Sequence, residues 1–264
     1  MTIKNLVQIF TQQLMLRKMD YISDQQGIIR RYQRETNGWN THLENCKRFI
    51  LESSKSKKKG KVMVLGSGWL LDCPINELSQ EFEEVILADI NHPEQIKKKI
   101  SHLSNVRLLE TDLTGGFINY VYHVLKTYKK DFGNTLITEV QSYSYNIPDD
   151  IDFVISLNII NQLNILITDY ASRTKDFSKK DILEIASIIQ QTHLKNLPKN
   201  KTCIICDYEE ELYNEDDKLI GVNPLIYLHL PDGNFSKKWQ WKFDSLMTYR
   251  DDTKTYLNVV AIEL

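Results

Sequence analysis

Apolar and polar positions change rhythm near residue 55. Before it the spacing is helical: Leu6, Phe10 and Leu14 recur every four residues. Behind the break Thr36-Asn37-Gly38, a second stripe runs through Trp39, Leu43, Cys46 and Ile50. A helical pair of this kind must bury its stripes, so residues 1–55 read as an N-terminal helical cap. The stretch Ser53–Gly60 (SSKSKKKG) has nothing to bury. It reads as an exposed, protease-accessible connector, with 56–60 as a basic linker rather than an RNA contact.

Beyond Gly60, short apolar runs alternate with helix-compatible segments. Strands are expected at Lys61–Leu65, Val85–Ala88, Val106–Leu109, Ile151–Leu157 and Thr202–Cys206. Helices are expected at Ile75–Phe82, Pro93–Leu103 and Phe117–Tyr128, with two more between Gln162 and Leu194. Nearly continuous apolar strands separated by helices indicate a parallel sheet covered on both faces. The tail differs: Leu225–Leu230 and Thr255–Ile262 are strand-like, no long helical pattern separates them, and Asp232-Gly233-Asn234 is a turn signal. An antiparallel excursion at the end of the sheet follows.

Composition narrows the class. The 264 residues are 42% apolar and 26% charged, ample for a core, which excludes collagen-like and disordered chains. A net charge of -2 provides no global field for nucleic acid or acidic lipid. The best membrane candidate, Ile151–Ile167, is interrupted by Asp152, Asn158, Asn161, Gln162 and Asn164. The start lacks a basic region followed by an apolar segment, and with only four Cys a reducing, cytoplasmic location is the simplest expectation.

Chemistry gathers at the strand ends, where an open parallel sheet binds its ligands. Gly66-Ser67-Gly68 lets the backbone turn sharply and approach a ligand. Asp89 ends the second strand, where a carboxylate can accept from both hydroxyls of a ribose. Asp112 follows the third strand and could reach an adenine amino group directly or through its loop. The ordered combination points to a nucleoside-containing cofactor.

With these residues, over about 61–264, the chain resembles the class I S-adenosylmethionine-dependent methyltransferases. The matching segments are VMVLGSG (Val62–Gly68), LADI (Leu87–Ile90), ETDL (Glu110–Leu113), DFVISLN (Asp152–Asn158) and the final strand pair. The resemblance implies an α/β fold: a doubly wound, mainly parallel seven-stranded sheet with an antiparallel last strand, here carrying the N-terminal cap. It implies S-adenosylmethionine held by Gly66, Ser67, Gly68, Asp89, Ile90, Asp112, Leu113 and Asn158, and methyl transfer to an O, N or C atom of a small molecule or protein. The chain departs from the family pattern at Val64, where many members carry an acid, and at Leu70, where a third glycine is common. Trp69 is bulky for a cofactor loop, and the family's amino-methylation signature is absent at Ser156-Leu157-Asn158-Ile159.

Two alternatives stay open. A nicotinamide dinucleotide, as in an NAD(P)-dependent oxidoreductase, wants GxGxxG, but position 71 is Leu. A non-catalytic relative or scaffold would keep the sheet and lose the transfer. Other residues have competing readings. Asp72 before Cys73-Pro74 reads as a helix cap, with a cofactor contact second. Trp39 and His42 share a helix face, as interface packing or as a lid facing substrate. Arg30, Arg31 and Arg34 form a solvated face or an anion site. His92 reads as a helix-start or loop hydrogen-bonding residue, with stacking or polar contact to adenosine second and a catalytic base third. Cys203 and Cys206 lie three apart on a strand, so they face opposite ways and hold no metal between them.

Overall fold

The computed structural model describes residues 3–127, 133–174 and 177–264. Helices α1 (Ile3–Lys18), α2 (Tyr21–Arg34) and α3 (Thr36–Ser54) precede β1 (Lys61–Leu65). Then come α4 (Ile75–Glu81), β2 (Glu84–Asp89), α5 (Glu94–Ile100) and β3 (Val106–Glu110). Helices α6 (Phe117–Thr127) and α7 (Gly133–Val140) lead to β4 (Phe153–Leu157). Helices α8 (Gln162–Ser172) and α9 (Lys179–Asn196) lead to β5 (Thr202–Tyr213), followed by β6 (Leu219–Pro224), β7 (Phe235–Asp244) and β8 (Lys254–Glu263). Tyr128, expected to end a helix, lies outside the described residues.

The strands form one sheet in the order β3-β2-β1-β4-β5-β8-β7, with β6 paired to the outer half of β5. Strands β1 to β5 run parallel, and β8 inserts antiparallel between β5 and β7. Alternation along β1 sends Met63 and Leu65 to one core and Val62 and Val64 to the other. The first core holds α1, α6, α7, α8 and α9, the second α3, α4 and α5. Helices therefore cover both faces, as the apolar strands require.

The sequence reading needs four corrections. The sheet has eight strands rather than seven, because β6 adds a short antiparallel edge. Leu225–Leu230 is irregular: Pro224 ends β6, and after one bond from Leu225 N to Tyr208 O of β5 the segment turns to α9, Tyr227 N donating to Gln190 Oε1 at 2.8 Å. Strand β7 lies where no strand was expected, although Lys237, Trp239, Trp241 and Phe243 alternate with exposed Ser236, Lys238, Gln240 and Lys242. Finally, Phe10 and Leu14 are exposed, and α1 enters the core through Met15, Leu16 and, just beyond its end, Met19.

The α3 stripe is buried, with Phe49 added to it, and it packs on β7. The connector is less exposed than its composition implies. Ser53 and Ser54 are buried in the last turn of α3, and Lys57 pairs with Glu263 at 2.8 Å. The polar run reads as solvated because its partners, Glu81 of α4, Asn200 and Glu263 of β8, are distant in sequence. Lys55 and Lys58 remain exposed. Limited trypsin digestion is expected to cut first after one of these two, which N-terminal sequencing of the earliest fragments checks. Among the described residues, no helix is long and apolar enough to cross a membrane.

Candidate functional site

The strand order reverses between β1 and β4, and there the carboxyl ends of the parallel strands open onto a cavity of about 280 Å³. Gly66 leaves β1 with φ +80°, and a Cβ on it would stand 2.9 Å from Ile159 Cβ and from Leu157 O. At Gly68 (φ +46°) a Cβ would meet nothing nearer than Gly66 O at 4.0 Å. Packing demands the first glycine. The second keeps backbone open to a ligand.

Asp89 locks this turn to β2. Its carboxylate accepts from Gly68 N and Ile90 N, each at 2.7 Å. Burial raises the Asp89 pKa, and the Gly68 amide and His92 oppose the rise. Asp112 is differently used. It accepts from Thr114 N (2.8 Å), Thr114 Oγ1 (2.6 Å), Gly116 N (3.1 Å) and Ile118 N (3.3 Å). Its carboxylate is engaged by its own loop.

Asn158 ends β4 at φ +49° and donates to Asp72 Oδ2 at 2.8 Å. This corrects the reading of Asp72 as a helix cap. Helix α4 begins at Ile75 behind Pro74 without a side-chain cap, and Asp72 turns into the cavity, where burial raises its pKa.

Helix α2 roofs the glycine turn. Gln25 Nε2 donates to Asn91 O at 3.0 Å, Asn91 Nδ2 donates to Gln25 Oε1 at 2.9 Å, and Trp69 Nε1 donates to Gln25 O at 2.6 Å. The bulk of Trp69 thus serves α2. Gln25→Ala should speed release of a nucleoside ligand several-fold, on the order of 1 kcal/mol of lost bonding, as stopped-flow displacement would measure.

Trp39 and His42 line the cavity, yet both are nearly sealed. Trp39 Nε1 donates to Phe243 O at 2.9 Å, and its ring meets Trp241 edge-on at 4.6 Å. His42 stacks on Trp241 at 3.9 Å and accepts from Trp239 Nε1 at Nδ1, 3.1 Å away. Burial depresses its pKa to about 3. Indole N–H can only donate, so Nδ1 is bare and the ring proton sits on Nε2. His42, Cys46 and Asp72 bring one ligand atom each within 4.8 Å of one another. The proton on Nε2, 3.6 Å from Cys46 Sγ, makes that trio a poor metal cage. Trp239→Phe should cost about 1 kcal/mol and release the tautomer, visible in the histidine nitrogen shifts.

All ten residues put forward from sequence as cofactor or substrate contacts line this one cavity. Of the three arginines only Arg31 does; its guanidinium stands 4.5 Å over Phe243 and 4.4 Å over Tyr249. His92 is buried outside it, with Nε2 3.4 Å from Leu109 O. Cys203 and Cys206 enter opposite cores.

Sequence reasoning missed Asp207, Asn161, Gln25 and the β7 aromatics. Asp207 carries the signal that found Asp89, an acid at the end of a buried run, in this case the inner half of β5. Among the described residues, ten buried side-chain polar atoms lack a partner, and all but those of Ser53 and His92 line the cavity. Such atoms cost free energy until a polar ligand or water meets them.

The mainly parallel sheet with β8 inserted antiparallel between β5 and β7 is the arrangement that the resemblance to the class I methyltransferases implies. No protein-family model and no curated protein matches the chain. Solved structures with which it aligns include methyltransferases. A SAM-dependent methyltransferase from Aquifex aeolicus shares 15% identity over 61% of this chain and 63% of that one, with TM-score 0.32. The chain thus spans less than two thirds of that relative. The N-methyltransferase NodS from Bradyrhizobium japonicum WM9, in complex with S-adenosylhomocysteine, shares 10% over 83% and 86%, with TM-score 0.35. A DhpI–SAM–HEP complex shares 7% over 92% and 95%, with TM-score 0.37.

Proposed function

We propose that the cavity binds S-adenosylmethionine and that the chain transfers its methyl group to an acceptor bound alongside. The observation that carries this reading is the Gly68–Asp89 link at the switch point. It presents an acidic group and a bare backbone turn to the same space, among buried polar atoms without partners. A sulfonium methyl donor brings its own activation, so the protein has chiefly to hold two reactants in line and keep water out.

The residues divide that work. Asp89 offers its remaining acceptor positions to ribose hydroxyls, and Gly66–Gly68 shape the floor. Ile90 and the Leu113 loop flank the base. Asn158 and Asp72, bonded to each other at 2.8 Å, mark the rim where cofactor and acceptor meet. Helix α2 acts as the covering element of the 1–55 cap. A reducing cytoplasm suits the four buried, unbonded thiols.

The nicotinamide reading fits less well. A pyrophosphate needs a helix N-terminus straight after the glycine turn, whereas α4 begins seven residues beyond Gly68. Calorimetric titration with S-adenosylmethionine, S-adenosylhomocysteine, NAD and NADP tests the assignment. Saturable binding of the two adenosyl ligands alone is expected. Binding of a nicotinamide cofactor instead, or of none, would overturn it.

A further inference from the structure

The cavity continues past Asn158, under α3 and along β5, β8 and β7. Two carboxylates there lack a paired cation, although Asp72 feels Lys47. Asp207 is 2% exposed; Asn161 Nδ2 reaches its Oδ2 across 3.4 Å, and its Oδ1 has no partner. Asp72 is met only by the Asn158 amide, as above. Neither enters an ion pair among the described residues. The other charges at this end are matched. Glu210 receives Arg250 Nη2 on both oxygens at 2.9 Å and Asn223 Nδ2 at 2.9 Å. Arg31 lies between two aromatic rings and feels Asp244 and Asp24.

A buried carboxylate without a partner is costly, and folded proteins keep such groups paired or put them to use. Three of the unpartnered atoms at this end are acceptors, Asp207 Oδ1, Asn161 Oδ1 and Asn158 Oδ1, and they stand with the donor Trp241 Nε1 and the Thr255 hydroxyl. The acceptors call for a ligand rich in N–H donors and carrying positive charge. The adjoining wall of Trp241 and Leu257 suits an apolar body attached to that charge.

We propose that this end of the cavity is the acceptor subsite, that its substrate is an amine arriving as an ammonium ion, and that Asp207 is its counter-charge and proton acceptor. This rests on the methyl-transfer reading. An ammonium ion has no lone pair to attack with. One N–H bond breaks, its proton passing to Asp207 Oδ1 and its electron pair staying on nitrogen. That pair forms the new N–C bond as the S–C bond breaks, the S–C electrons remaining on sulfur as a neutral thioether. The products are the methylated ammonium ion and a protonated Asp207, which returns its proton to solvent when the site opens. Burial, with help from the nearby Asp72, raises the Asp207 carboxyl to about 7, as proton uptake near neutrality requires. The titratable groups facing it are Asp72 from the loop after β1, His42 and Cys46 from α3, and Cys206 and Glu210 from β5.

The test is calorimetric titration at about pH 8 with phenethylammonium, the neutral 2-phenylethanol and the anionic phenylacetate, a pH that keeps the first protonated. Wild type and Asp207→Asn are each titrated with and without saturating S-adenosylhomocysteine. Wild type should bind the ammonium at least about tenfold tighter than the alcohol, with the carboxylate weakest, and in Asp207→Asn the ratio should fall to about threefold or less. If Asp207→Asn does not fold, Asp72→Asn, which keeps an acceptor for Asn158, should lower the ratio about threefold. Equal binding of ammonium and alcohol by wild type, a ratio unchanged in the variants, a preference for phenylacetate, or no binding of any probe overturns the proposal. Ammonium preference without S-adenosylhomocysteine binding would instead remove the methyl-transfer reading and leave an amine site. S-adenosylhomocysteine binding without that preference removes only the amine.

Discussion

Asp89→Ala should weaken S-adenosylhomocysteine binding by at least about a hundredfold while the protein still folds. Two hydrogen bonds from ribose to an ionised carboxylate contribute roughly 1.5–3 kcal/mol each, and 2.7 kcal/mol is about a hundredfold in affinity. The substitution also frees Gly68 N, whose turn Asp89 holds at 2.7 Å. Asp89→Asn keeps one acceptor oxygen and should fall between the two. Titration of the three proteins, with thermal unfolding alongside, checks the ranking. An alanine variant binding as wild type does would take Asp89 out of the site.

Asp207→Asn should make the protein more stable in mildly alkaline solution. The Asp207 carboxyl titrates at 3.8 when unperturbed and at about 7 in the folded chain, chiefly through burial. Below the lower value both states hold the proton and stability is full. Between the two, only the folded chain holds it, so stability falls as the pH rises. Above the upper value the folded chain carries a buried charge that no cation meets. An amide has no proton to lose. The gain at about pH 8 should be on the order of 2–4 kcal/mol, vanishing toward about pH 4. Urea unfolding of both proteins across this range measures it. Parallel pH profiles would show that Asp207 is not the buried charge.

The two predictions differ in how the residues could be found. Asp89 was legible because strand, acid and glycine turn stand in sequence order, and a parallel sheet must bring them together. Strand β1 was legible to the residue, since its five positions are apolar but for Lys61 and bounded by Gly60 and Gly66. Asp207 obeys the same rule but lies inside a strand of twelve residues, not at its end, so Thr202–Cys206 marked only the inner half. Strand β7 hid its alternation behind lysines, whose stems cover apolar surface while their charge stays in water. The role of Asp72 was not local at all. Its partner Asn158 stands 86 residues away, and no spacing rule joins the two.

The place of β8 bears on how the chain is made. It lies between β5 and β7, pairs with both, and leaves the ribosome after either. Until then β5 presents an unpaired antiparallel edge, and β7 has no place in the sheet. Helix α3, synthesised some two hundred residues earlier, waits with Trp39 and Phe49 uncovered, because β7 is what it packs against. Contacts so distant in sequence close slowly, and an open edge beside bare aromatics favours association between nascent chains. A ribosome that stalls after Thr253 would therefore release a product whose first parallel strands are complete and whose other half cannot close, a natural client for chaperones.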